Sequence, residues 1–202
     1  MLQMNHKAEA VFLPLMIAVL TVSDTRTFAT DTSGQLLVDR LTAAGHQLAQ
    51  RVLLKDDLYK IRAQVAQWIA DQIEPDGAPF VVEPGPGLGA MTKHLVGRPK
   101  KLILIEKDSQ LAPELQSQFE GRDDVEVIHN DATRINLRSW FKLGPLRIVG
   151  NLPYSVGSEI LKHWLTPPSP VGCAVFMLQK EVCDRLAATC EDDAYGALSL
   201  LV

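Results

Sequence analysis

Apolar residues along this chain fall into short β-branched runs separated by stretches with helical spacing, and the alternation repeats from end to end. In the first part, Met16 to Val22 reads as a strand, and Ser33 to Ala44 as a helix with Leu36, Leu37 and Leu41 on one face, ending at Gly45. Leu48 to Leu54 predicts a second strand. Leu58, Ile61, Val65, Trp68 and Ile69 then recur at helical spacing to about Ile73, with Asp56 or Asp57 placed to cap the start. This is a βαβα segment.

After a proline- and glycine-containing junction, Glu74-Pro75-Asp76-Gly77-Ala78-Pro79, the same grammar returns more crisply. Phe80 to Glu83 predicts a strand, followed by a glycine-rich turn, a helix from about Ala90 and a strand from Lys101 to Ile105. Leu111, Leu115 and Phe119, four apart, mark a helix, and Val125 to Ile128 the next strand. Leu146 to Val149 predicts a strand that stops at the turn Gly150-Asn151-Leu152-Pro153. A helix with Ile160, Leu161 and Trp164 follows, then a strand from Ala174 to Leu178. Strands alternating with helices of this length imply an α/β fold with a mostly parallel sheet covered on both faces. In such sheets ligands gather at the carboxyl ends of the strands. Two units are expected, 1–75 and 76–202.

Charge changes this picture little. The 202 residues carry 20 basic and 24 acidic side chains, and neither side of Pro75 has a cationic excess, so a dedicated, strongly basic nucleic-acid binder is disfavoured. Locally basic stretches remain. Lys93, Arg98, Lys100, Lys101 and Lys107, with Arg134, Arg138, Lys142 and Arg147, read equally as phosphate contacts or as a solvated face. Cys173, Cys183 and Cys190 are odd in number and lack a CxxC pair, which disfavours disulfides and a zinc site and suits a reducing compartment. His6, His46, His94, His129 and His163 are scattered, so no metal is expected. The apolar run Val11 to Val22 is too short to span a bilayer and contains Pro14, so no membrane partner and a cytoplasmic location are expected. Ser33 and Ser155 have no recognisable histidine and carboxylate companions for acyl transfer.

The candidate chemistry sits where strands end. Glu83-Pro84-Gly85-Pro86-Gly87-Leu88-Gly89 follows a strand and precedes a helix, where backbone must approach a nucleoside or phosphate without side chains in the way. Glu106 ends the next strand, placed for both ribose hydroxyls of a nucleoside. Asp131, in Asn130-Asp131-Ala132, ends the third strand and could accept from an adenine amine, or cap a helix. Asn151-Leu152-Pro153-Tyr154 offers a short polar acceptor, a rigid turn and an aromatic face in four residues. An adenine amine is poorly nucleophilic until its hydrogens are held out of plane. The Asn151 side-chain oxygen and the Leu152 carbonyl could each take one, aiming the lone pair at an electrophilic methyl, with Tyr154 stacked on the base. A strand-ending turn with a core tyrosine is the plainer reading.

From Val82 to Val202 the chain resembles the small-subunit ribosomal RNA adenine dimethyltransferase family. The resemblance rests on the glycine turn, Glu106-Lys107-Asp108, Asn130-Asp131-Ala132, Gly150-Asn151-Leu152-Pro153-Tyr154, Phe176 to Val182 and Ala194-Tyr195-Gly196. It implies a Rossmann-like S-adenosylmethionine methyltransferase core. It further implies donor contacts at Glu83, Gly85, Gly87, Gly89, Glu106, Asp131, Ala132 and Asn151, target-base contacts at Asn151, Leu152, Pro153 and Tyr154, and small-subunit rRNA as substrate. The family's opening Gln-Asn-Phe-Leu segment is absent, and the chain stops at Leu200-Leu201-Val202, where members continue, so a core truncated at its C-terminus is expected.

Residues 11 to 70 resemble instead the molybdopterin-binding family of molybdenum-cofactor biosynthesis. This second resemblance is carried by Ile17 to Asp24, Asp31-Thr32-Ser33-Gly34 and the stretch from Lys55-Asp56-Asp57 to Trp68. That family's Gly-Gly-Thr-Gly loop and Pro-Gly-Ser segment do not occur, and capping suits Asp56 better than pterin binding. The chain therefore reads as two α/β openings joined within or just after a helix common to both, with Met16 to Val22 free to add an edge strand beside the Ala174 strand. Three functions follow in order: an rRNA adenine N6-methyltransferase, a non-catalytic nucleoside- or rRNA-binding module in ribosome assembly, and a molybdopterin-binding protein. Oligomeric state is left open.

Overall fold

A computed structural model describes residues 14–152, 154–196 and 198–199, with the side chains of Tyr154 and Ser155 excepted. Two compact units divide at Ile61 and Arg62, within a helix and ahead of the 74–79 junction. In the first, β1 (Met16–Val22) and β2 (Gln47–Leu54) pair in parallel, joined by α1 (Thr32–Ala43). Asp31 caps α1, accepting from the Gly34 N–H at 2.9 Å and from Arg51 at 2.9 Å. A Cβ on Gly34 would lie 2.0 Å from the Asp31 carboxylate, so glycine is what lets this capped, ion-paired turn close. The expected apolar face of α1 is only partly used. Leu41 is buried, whereas Leu36 and Leu37 are about half exposed. β1 takes its partner from β2 rather than from the Ala174 strand, because the intervening α1 makes β1 and β2 a parallel crossover pair.

The second unit contains the body of α2 (Leu58–Gln72) and a parallel sheet. Its strands are β3 (Val81–Pro84), β4 (Leu102–Glu106), β5 (Val125–His129), β6 (Leu146–Asn151) and β7 (Val171–Met177). They lie in the order β5-β4-β3-β6-β7, with α3 (Leu111–Gln118), α4 (Tyr154–Leu165) and α5 (Lys180–Ala187) outside the sheet. Side chains alternate across it. Val81, Leu102, Leu104 and Val149 pack with Ala66 and Ala70 of α2 and with Ile73 just beyond its end, while Val82, Ile103, Ile105 and Ile148 pack with Ile160 and Trp164 of α4. Trp164 is 2% exposed and donates its indole N–H to the Ile135 carbonyl at 3.1 Å. The packing face of α2 is thus Ala66 and Ala70, with Ile69 beside them and Ile73 in the turn that follows. Leu58 is exposed, and Ile61, Val65 and Trp68 are half-buried.

One expected helix is absent. No regular helix follows Ala90, only a 3₁₀ turn at Thr92–His94, since Gly97 in the left-handed region and Pro99 stop the chain within two turns. A further 3₁₀ segment, Leu137–Leu143, precedes β6.

The order reverses at β3. Its neighbours are β4 on one side and β6 on the other, so the chain departs in opposite directions from adjacent strands and a crevice opens at their carboxyl ends.

Candidate functional site

The glycine turn leaves β3 at this crevice. Gly85, Gly87 and Gly89 have φ of 66°, 57° and 76°, a left-handed conformation that residues with a Cβ adopt at a cost, and nothing lies within 4 Å of a Cβ placed on Gly85 or Gly87. The turn is held from below. Gly85 donates to the Ile105 carbonyl at 2.9 Å, and Gly87 donates to a Glu106 carboxylate oxygen at 3.0 Å. The other Glu106 oxygen accepts from the Asp108 N–H at 2.8 Å, so the carboxylate is fixed at the end of β4 by two backbone donors.

Glu83 lies behind the turn. It is 3% exposed and accepts from the Thr92 hydroxyl at 2.8 Å. Burial pushes its carboxyl up to about 8, against the Thr92 hydrogen bond and with a contribution from the Glu106 charge. Asp131 goes the other way. Lys107 at 2.7 Å, and then Thr133, which donates both its hydroxyl and its N–H, hold Asp131 at about 2. Asp131 is therefore both a cap for the turn Ala132–Arg134 and a wall of the crevice.

A cavity of about 190 Å³ opens there. Pro84 and Gly85 of the glycine turn form one side, and Ile105, Glu106 and Lys107 the end of β4. Asn130, Asp131 and Ala132 follow β5, and Leu152, Val156 and Ile160 close the cavity from β6 and α4. The glycine turn and the Asn151 turn thus share one cleft. A Cβ on Gly150 would lie 3.3 Å from the Pro84 ring, a measure of how closely the two strand ends approach. Of the expected residues, Gly85, Glu106, Asp131, Ala132 and Leu152 line the cavity. Glu83, Gly87, Gly89 and Asn151 do not. Asn151 is exposed at the end of β6, beside Met177. Pro153 and the Tyr154 side chain lie outside what is described.

The apolar wall of Ile105, Val156 and Ile160 is not singled out by sequence motifs. The spacing of Val156 and Ile160, four apart directly after Asn-Leu-Pro-Tyr, is the signal that carries it. Among the basic residues, Arg98 pairs with Asp71 and Asp76, Lys101 with Glu126 and Arg147 with Glu74, so these stretches are partly neutralised. A larger groove of about 610 Å³, near Ala194, Tyr195 and Gly196, shares no lining residue with the cavity. Among the described residues, no group of three or more His, Cys, Asp or Glu could hold a metal, and no helix is long and apolar enough to cross a membrane.

The family model for ribosomal RNA adenine dimethylase matches residues 58–202. The chain belongs to the ribosomal RNA adenine dimethylase family. Among curated members, the ribosomal RNA small subunit methyltransferase A of Acidobacterium capsulatum is 46% identical over 125 residues, covering 61% of this chain and 44% of that protein. The Methylibium petroleiphilum protein of the same name is 42% identical over 143 residues, covering 69% and 54%. This dimethylase-family chain spans about half the length of the curated relatives it matches. A dimethyladenosine transferase from Plasmodium falciparum superposes with a TM-score of 0.57 at 28% identity, over 69% of this chain and 50% of that one. The 23S rRNA methyltransferase ErmE gives 0.52 at 27%, over 60% and 48%. A second model, probable molybdopterin binding domain, matches residues 18–76. The two models overlap across residues 58–76, which contain α2.

Proposed function

We propose that this chain binds S-adenosylmethionine in the crevice at β3 and β6 and methylates the exocyclic amine of adenine in small-subunit rRNA, a cytoplasmic substrate. One observation carries the reading: a single cavity is lined both by the glycine turn and by the turn that follows Asn151. Its volume is below the roughly 300–1,000 Å³ of a pocket enclosing a whole drug-sized ligand, which suits the base of a nucleoside. The residues fit that group. Ile105, Val156 and Ile160 offer apolar walls for a planar base, Asp131 an acceptor for its amine, and Glu106 a carboxylate for ribose hydroxyls. Gly85, Gly87 and Gly89 leave backbone accessible, with Glu83 and Thr92 supporting the turn from behind.

Bound there, the donor supplies a methyl group made electrophilic by a sulfonium. The chain's part is orientation. Asn151 Oδ1 and the Leu152 carbonyl each accept one amine hydrogen, which turns the lone pair toward the methyl, and Tyr154 stacks on the base. The proton leaves after nitrogen becomes cationic, so no strong base is required. Residues 18–76, which match the molybdopterin-binding model, make an opening joined through α2, whose apolar residues Ala66 and Ala70 serve the methyltransferase sheet.

Calorimetric titration with S-adenosylmethionine and its demethylated product tests donor binding. Radiolabelled methyl transfer to under-methylated small subunits tests the reaction, and binding without transfer would favour a non-catalytic module. Replacing Glu106 by alanine removes a charged acceptor and a brace of the turn. Donor affinity is expected to fall about 10- to 100-fold. An unchanged titration would remove Glu106 from the pocket.

A further inference from the structure

The acceptor that faces the cavity is already occupied by the chain itself. Asp131 Oδ1 takes both the Thr133 N–H at 3.0 Å and the Thr133 hydroxyl at 2.7 Å, which leaves Oδ2 as the atom open to a ligand. Lys107 Nζ sits on that oxygen at 2.7 Å. Both residues line the cavity, and the Lys107 side chain is 70% exposed while Asp131 is 18% exposed. The ammonium therefore reaches in from solvent across the mouth of the site, and water is at hand to receive it when it lets go.

We propose that Lys107 is a latch on the cavity, a positioning residue whose ion pair with Asp131 must open or share its oxygen before a nucleobase amine can be bound. The proposal rests on the nucleoside reading of the cavity. Its physics is competition. An exposed ion pair is weak and screened by salt, so the latch opens readily, yet it taxes the affinity of an incoming base by the fraction of molecules in which it is shut. Removing the ammonium should strengthen binding at low salt, the opposite of what loss of a cavity-lining contact would do.

The probe is 5′-methylthioadenosine, which carries the base and ribose without net charge, so its own attraction to the site has no salt-screened part. Full-length protein is titrated at low and high potassium chloride as wild type, Lys107→Met, Lys107→Arg and Glu106→Ala. Lys107→Met keeps the apolar stem and is expected to bind about two- to fivefold tighter than wild type at low salt. High salt should close that gap, and Lys107→Arg should behave as wild type, because the guanidinium restores the pair. If wild type binds in a Glu106-dependent way but Lys107→Met binds equally or more weakly, or the gap ignores salt, the latch is overturned and the pocket reading stands. If folded wild type binds no nucleoside, both fall.

Discussion

Replacing Asn151 by alanine should lower methyl transfer about 10²–10³-fold, the scale observed for losing one preorganised hydrogen-bonding group at a reacting centre. Donor affinity should change far less, because the Asn151 side chain is exposed and does not line the cavity, whereas the backbone that carries it is anchored. Gly150 and Asn151 keep their pairing with Phe176 and Met177, and Leu152 stays buried at 7% exposure. The Leu152 carbonyl would then hold one amine hydrogen while the other is left to water, and the lone pair stays partly in the ring. Single-turnover transfer beside calorimetry separates the two effects. Equal losses in both would show that Asn151 serves the donor rather than the target amine.

Changing Glu83 to glutamine should flatten the dependence of stability on pH. The carboxyl has an ordinary value of 4.5, which the unfolded chain shows, and about 8 when buried behind the glycine turn. Between those values the folded state keeps a proton that the unfolded state has lost, so stability falls as pH rises through the window and is level on either side. At about 1.36 kcal/mol per unit, the penalty accumulated by pH 7 is on the order of 3 kcal/mol. Glutamine keeps an acceptor for the Thr92 hydroxyl and cannot ionise. The slope is the readout, since a buried amide brings two N–H donors that need partners. Urea unfolding from pH 4 to 9 should give a falling profile for wild type relative to the variant. Parallel profiles would mean that Glu83 is ionised in the folded protein at neutral pH.

Strand positions were legible in the sequence because a parallel sheet buried on both faces demands apolar runs; Leu102 to Ile105 is a continuous one, and Leu146 to Val149 is broken only by Arg147. The strand order was not, because local pattern does not encode which strands become neighbours. The site was readable in outline for the same reason that it forms: Gly85, Glu106, Asp131 and Leu152 stand at or just past strand ends, and strand ends converge at the order reversal. Burial of Glu83 was not foreseen, since a carboxylate in a glycine-rich turn gives no hint that its side chain points inward toward Thr92. The basic stretches stayed open between two readings for a similar reason. Nearby sequence cannot show that Arg98 folds onto Asp71 and Asp76, or that Lys107 closes on Asp131, 24 positions along the chain. The helix expected from Ala90 failed because apolar spacing outran its stop signal at Gly97.

The two-stranded sheet of the first unit has an energetic consequence. Among its described residues, Val19 and Leu41 are the buried apolar side chains, whereas β3 and β4 are buried at every position. So thin an interior cannot repay the ordering of some fifty residues on the scale that a larger core does. Amide hydrogen exchange should therefore run at two tempos, with β1 and β2 exchanging through frequent partial openings and β3, β4 and β6 only when the methyltransferase sheet comes apart as a whole.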